Sequence, residues 1–190
     1  MHRSFLLSTI ALACALALGC TDQSGLTEAT ENSSAPLFAR ASRASVSGHI
    51  ERDFPDFGVP VEKFSFHAHD LGNGSVEGRW QLEDFFDDGH KEVARGRVTC
   101  FTVEADGRTA RMGGIVEAST NPINVGGEAV WTVVDNGEGA NAPPDQATDL
   151  RNGPTDLPPG TAAVHCEVGF PPEVFGTLGD NLRANVQVRP

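Results

Sequence analysis

The sequence predicts an all-β fold, a single antiparallel β-sandwich or barrel preceded by a signal peptide and a disordered tether. Three observations carry this. Short runs of alternating apolar and polar residues recur along the chain, separated by Gly, Asn, Asp and Pro. No run of helical period occurs in the domain, one turn near Glu173 to Phe175 excepted. And one hairpin can be registered from the residues alone.

That hairpin runs from Val93 to Val116, with Asp106-Gly107 between its arms. Centring a two-residue turn there sets Val103 against Ala110 and Phe101 against Met112, all on one face. Thr102, Glu104, Thr109 and Arg111 fall on the other. The clean separation of apolar from polar residues supports the register. Further out, Cys100 lies opposite Gly113-Gly114, where missing side chains leave room for a partner.

The other strands follow in order. Ser45 to Ile50 is a first strand, and Asp53 to Pro60 a loop punctuated by Pro55 and Gly58. Val61 to Asp70 alternates, with Phe64, Phe66 and Ala68 on one face and Ser65, His67 and His69 on the other. Asn73-Gly74 suits a tight turn into Ser75 to Leu82, whose Val76, Trp80 and Leu82 share a face. Glu83 to His90 is an acidic connection to the central hairpin. Beyond it, Pro122 and Gly126-Gly127 mark a turn. Glu128 to Asp135 is apolar on both faces, as in an interior strand. Asn136 to Gly160 is the longest irregular stretch. Thr161 to Gly169 is expected as a strand with Val164, Cys166 and Val168 facing the core. Asn181 to Val188 is the terminal strand.

Residues 1–19 have the organisation of an export signal: Arg3, then an apolar Phe5 to Leu18 too short for a comfortable membrane span. The segment ends in Ala17-Leu18-Gly19-Cys20, which resembles the lipobox of bacterial lipoproteins. That resemblance implies a diacylated Cys20 as the mature N-terminus, anchored in the bacterial cell envelope. Ordinary cleavage after Ala17 and plain secretion is the alternative. Lipidation of Cys20 would leave Cys100 and Cys166, an even pair. In an oxidising compartment these two form a disulfide; buried free thiols are the other reading, and the absence of a C-x-x-C spacing speaks against a metal. Residues 20–43 are rich in Ser, Thr, Ala, Glu and Gln without periodicity, and read as a disordered tether. Residues 44–190 make one domain, long enough to close a core.

The chain carries a formal net charge of −12, almost all of it in this domain. That argues against nucleic acid and against electrostatic docking on anionic lipid. The order Phe64-x-Phe66, a return at Gly78, the strand around Cys100, the Ala110 to Gly114 return and Val134-Asp135-Asn136-Gly137-x-Gly139 is similar to small secreted bacterial β domains labelled post-COAP-1. The resemblance implies a fold and no activity.

Three chemistries have candidate residues. Phe66-His67-Ala68-His69-Asp70 resembles the F-H-x-H-E strand of copper–zinc superoxide dismutases. Two His at i and i+2 point the same way and can share zinc or copper, with His90 or His165 as a third ligand. Asp135, Asn136, Glu138, Asp145 and Asp149 are hard oxygen donors for calcium, and Glu83, Asp84, Asp87 and Asp88 form a second acidic group. Trp80 or Trp131 could stack on a sugar. No nucleophile elbow and no phosphate-cradling Gly-rich loop occurs. The leading expectation is therefore a non-enzymatic, lipid-anchored surface domain without a cofactor, bound to the membrane through its lipid and to an unknown protein or glycan. The alternatives are a zinc or copper enzyme using His67 and His69, and a carbohydrate-binding module.

Overall fold

The computed structural model describes residues 43–54, 58–139, 141–154, 157–170, 178–180 and 183–190. The signal segment, Cys20, the tether and the expected turn at Glu173 to Phe175 lie outside them.

The described chain forms one antiparallel sheet wound into a nearly closed barrel. Strands β1 (Ser45–Phe54), β2 (Val59–Asp70), β3 (Val76–Phe85), β4 (Lys91–Val103), β5 (Thr109–Ser119) and β6 (Glu128–Val134) are sequential neighbours. A two-residue β7 (Gln146–Ala147) continues from β6. The terminal strand, β10 (Arg183–Arg189), returns to pair with β1, making eight strands around the barrel. Two more short pieces, β8 (Arg151–Asn152) and β9 (Gly179–Asp180), pair with β6 and β7. Sequential antiparallel neighbours need only short connections, which is why turn residues punctuate the sequence so regularly.

The central hairpin has the expected register: Val103 pairs with Ala110, Phe101 with Met112 and Cys100 with Gly113. Its turn is longer than two residues. Glu104 and Thr109 close it through Glu104 N–H to Thr109 O (2.8 Å), and Asp106 Oδ1 accepts from Arg108 N and Thr109 N. The side chain of Asp106 thus organises the loop, while the centre and the register are unchanged. The Asn73-Gly74 turn is also longer than a two-residue loop. Leu71 N–H bonds Ser75 O (3.0 Å), and Gly72 and Gly74 both have positive φ. At the other end, β1 and β2 run further towards each other than expected, to Phe54 and from Val59, with a bulge at Arg52 to Phe54.

One expected strand is a helix. Thr161 to Val168 forms α1. Val164, Cys166 and Val168 alternate, which mimics a strand, yet Val164 is 44 % exposed and Val168 69 %. The buried set is Ala162, His165 and Cys166, spaced by three and four as on a helix face. A tertiary contact fixes the helix start. The Glu128 carboxylate of β6 accepts from Gly160 N (2.8 Å) and Ala162 N (2.7 Å), two N–H groups at the start of the helix. Gly169, at φ 75°, ends it.

Helix α1 lies outside the barrel against β4, β5 and β6. This explains why β6 is buried on both faces. Ala129, Trp131 and Val133 join the barrel core, while Val130 packs with Leu157 and Ala162. The helix is stapled in place by a Cys100–Cys166 disulfide (Cα–Cα 6.2 Å). Gly113 makes the room: a Cβ there would meet Cys100 Sγ at 2.8 Å and Ala162 Cβ at 2.9 Å.

The seam between β6–β7 and β10 is closed by carboxylates. Asp135, just after β6, accepts from Val188 N (3.0 Å), and Asp145, just before β7, accepts from Val186 N (2.7 Å). These bonds satisfy backbone donors on an edge that would otherwise stay open.

Candidate functional site

An eight-stranded barrel can hold a small ligand inside or fill with side chains. This one is filled. Phe64, Phe66, Trp80 and Trp131 interlock at its centre, with Phe64 edge-on to Trp131 at 5.3 Å between ring centroids. Met112, Ile50, Val116 and Val186 pack around them, each at most 1 % exposed. Both tryptophans are core residues, at 2 % and 0 % exposure, so neither ring is available as a sugar-stacking platform. What can bind a ligand is therefore sought on the outside of the barrel and at its ends.

A concavity of about 550 Å³ lies on the outer face of β2 to β5. This falls within the ~300–1,000 Å³ typical of ligand clefts. Strand alternation puts His67, Arg79, Gln81, Arg95, Arg97 and Glu117 on this exposed side. His67 pairs with Arg79 in the ladder, and Arg79 pairs directly with Arg97. Like charges opposed across a ladder are destabilising. One carboxylate serves both: Glu117 Oε2 accepts from Arg79 Nη1, and Glu117 Oε1 lies 3.5 Å from Arg97 Nε. Arg95, opposite Gln81, adds a third guanidinium. The local charge is three arginines to one glutamate, in a chain with 14 basic and 26 acidic residues.

The floor of this concavity is specified by glycine. A Cβ on Gly96 would sit 1.8 Å from the Ile115 carbonyl oxygen and 2.9 Å from Trp80 Cε2. Backbone therefore approaches backbone beneath the arginines, at a bulge between Arg95 and Gly96. Glu117 is carried outward at this irregular point of the β4–β5 pairing.

A second feature sits at one end of the barrel. Arg52, Glu62, Asp84 and Glu92 form one cross-strand row. Arg52 and Glu62 are buried. Arg52 Nε donates to Glu62, and Nη1 donates to the Thr148 carbonyl (2.8 Å) and lies 3.5 Å from Asp149. Burial pushes the Glu62 carboxyl up to about 7; Arg52 pulls it down and Asp84 adds to the rise. Burial raises Asp84 as well, opposed by a hydrogen bond with Glu62. Several carboxylates around one guanidinium can hold a proton near neutrality. The adjoining cleft measures about 180 Å³, well under the ~300 Å³ lower end for ligand sites. We read this row as the polar end-plug of the core.

The expected site residues are distributed as follows. Cys100 and Cys166 are joined. His67 and His69 share the outward face of β2, as expected, but His69 Nε2 is 3.4 Å from Glu77 Oε2 while His67 lines the arginine concavity. His90 stacks on Phe86 and bonds Asp88. His165 is buried beneath α1, with Nε2 3.2 Å from both the Trp131 carbonyl and Thr132 Oγ1, and burial lowers its pKa. In the calcium loop, the Asp135 and Asp145 carboxylates are turned to backbone N–H groups of Gly137, Asn136 and β10, Asp149 faces Arg52, and Glu138 is exposed. In the second acidic group Glu83 pairs with Lys91, whereas Asp84 joins the end row. Among the described residues no group of three His, Cys, Asp or Glu side chains is placed to hold a metal ion.

Sequence reasoning missed the arginine face. The signal was present: Arg79, Arg95 and Arg97 all fall on the outward positions of their strands. Only the β3–β4 register brings them together. Comparison with family models, curated proteins and solved structures returns no match. Among the described residues no helix is long and apolar enough to cross a membrane.

Proposed function

We propose that this chain is an exported, lipid-anchored binding module that meets its ligand on the outside of a filled barrel. The observation that carries the binding reading is the contrast between the packed interior and the charged outer concavity of β2 to β5. Support for export comes from two independent places. The first 20 residues read as a signal followed by a lipobox. The Cys100–Cys166 bond is the chemistry of an oxidising compartment. The acyl chains would supply membrane affinity, and the tether would hold the domain away from the bilayer. Binding is favoured because the outer face offers fixed cations and hydrogen-bonding groups side by side.

The anchor is tested by detergent phase partition and by the mass of the mature N-terminal peptide. The chain is expected in the detergent phase with a diacylated Cys20, and Cys20→Ala is expected to move it to the aqueous phase. A wild-type chain cleaved after Ala17 and recovered in the aqueous phase would overturn the anchor.

A further inference from the structure

We infer that the outer arginine face binds the acid groups of an anionic polysaccharide. This deepens the binding-module reading and rests on it. Arg95 and Arg97 are two residues apart on β4, so their roots are roughly 7 Å apart, and Arg79 stands about 5 Å from Arg97 on the next strand. Three guanidinium groups thus converge on one patch, each with a planar fork matched to carboxylate, sulfate or phosphate oxygens.

Glu117 shows the mode of recognition. It is the chain's own carboxylate, lying across Arg79 and Arg97. It leaves the patch two positive charges in excess, with Arg95 opposite the neutral Gln81 and His67 also lining the concavity. A ligand carboxylate or sulfate would seat on Arg95 and compete with Glu117 for the other two. The opposition of Arg79 to Arg97 opposes folding. Breaking a local rule of stability in this way is the mark of a surface kept for binding.

The surroundings select the class of ligand. Ser65, Gln81 and His67 line the same concavity and offer hydrogen bonds to hydroxyl groups. Phe66 and Trp80 line it too, but both are buried from solvent, and the exposed large apolar side chains among the described residues, Ile123, Val125, Val164 and Val168, lie elsewhere, on the 3₁₀ turn after β5 and on α1. A flat anionic bilayer would meet the acidic remainder of the domain as well as the patch, and be repelled. A single extended chain touches the concavity alone.

The test is binding of the purified full-length protein to dextran sulfate and to uncharged dextran of equal length. Dextran sulfate should bind, dextran should not, and binding should weaken as salt rises. Arg95→Ala should weaken binding roughly tenfold, and loss of all three arginines should abolish it. Arg183→Ala with Arg189→Ala, on β10, should leave it unchanged. Glu117→Gln should tighten it several-fold, which an unspecific charge effect of one unit elsewhere, such as Glu138→Gln, should not match. Equal binding by the wild type and the triple variant overturns the inference, as does equal binding of both dextrans. Binding only to phosphatidylglycerol vesicles would assign the patch to lipid and also overturn it. These outcomes are independent of the partition assay, so the anchor can stand where the anion site fails.

Discussion

Strands β2 to β5 have two faces built by different rules. Inward, Phe64, Phe66, Trp80, Ala94, Val98 and Met112 are buried and interlocked. Outward, His67, Arg79, Arg95 and Glu117 line a charged concavity, and Arg97, 3.5 Å from Glu117, opposes Arg79 in the ladder. Side-chain alternation makes both from the same backbone. The inner face is fixed by volume, since every position is bounded by neighbours. The outer face tolerates an arrangement that costs stability. The difference teaches that a ligand must be sought outside this barrel, and that stability and binding should separate cleanly under mutation.

The largest expected effect breaks the inner face. Trp131→Ala removes contacts with Phe64, Phe66 and Trp80 and should cost about 3–5 kcal/mol in urea unfolding. A change near zero would mean that the interior is not the packed core described. Next is the staple holding α1 against the barrel. Reduction of Cys100–Cys166, 66 residues apart, removes about 4 kcal/mol on the chain-entropy model and should lower the melting temperature by several degrees. Equal melting with and without reductant would count against it.

Third comes the end row. Glu62 is raised by burial, so the folded chain holds a proton that the unfolded chain releases above 4.5. Stability should therefore fall as pH climbs from 4.5 to about 7, with the loss complete above that. Glu62→Gln should flatten this slope in melting scans; an unchanged slope would place the proton elsewhere. A smaller effect belongs to the seam. Asp145→Ala leaves Val186 N without that acceptor and should cost about 1–3 kcal/mol, with faster hydrogen exchange at that amide. The smallest effect on stability is the most informative. Arg95→Ala should leave unfolding within about 0.5 kcal/mol of wild type while weakening dextran sulfate binding.

Much of the fold was legible because it is local. The register of Val103 with Ala110 follows from the Asp106-Gly107 centre and the alternation around it, although Asp106 builds a longer loop. Burial of β6 on both faces was readable from Ala129 to Val134, but not that α1 covers it. The helix escaped notice because Val164, Cys166 and Val168 alternate, and its start is fixed by Glu128, far away in sequence. Barrel closure by Asp135 and Asp145 was equally hidden. Both looked like cation ligands in a turn, and only the return of β10 shows what they hold. The candidate site was the least legible part. No motif joins Arg79, Arg95, Arg97 and Glu117; pairing across three strands and a bulge does.

The most direct test of the account is an amide-resolved NMR titration of the protein with a short sulfated glucan. Shifts confined to residues 65–67, 79–81, 95–97 and 117–118, with the core amides around Trp131 unmoved, are the predicted result. Perturbation centred on the barrel interior, or on α1 and the 3₁₀ turn, would contradict it.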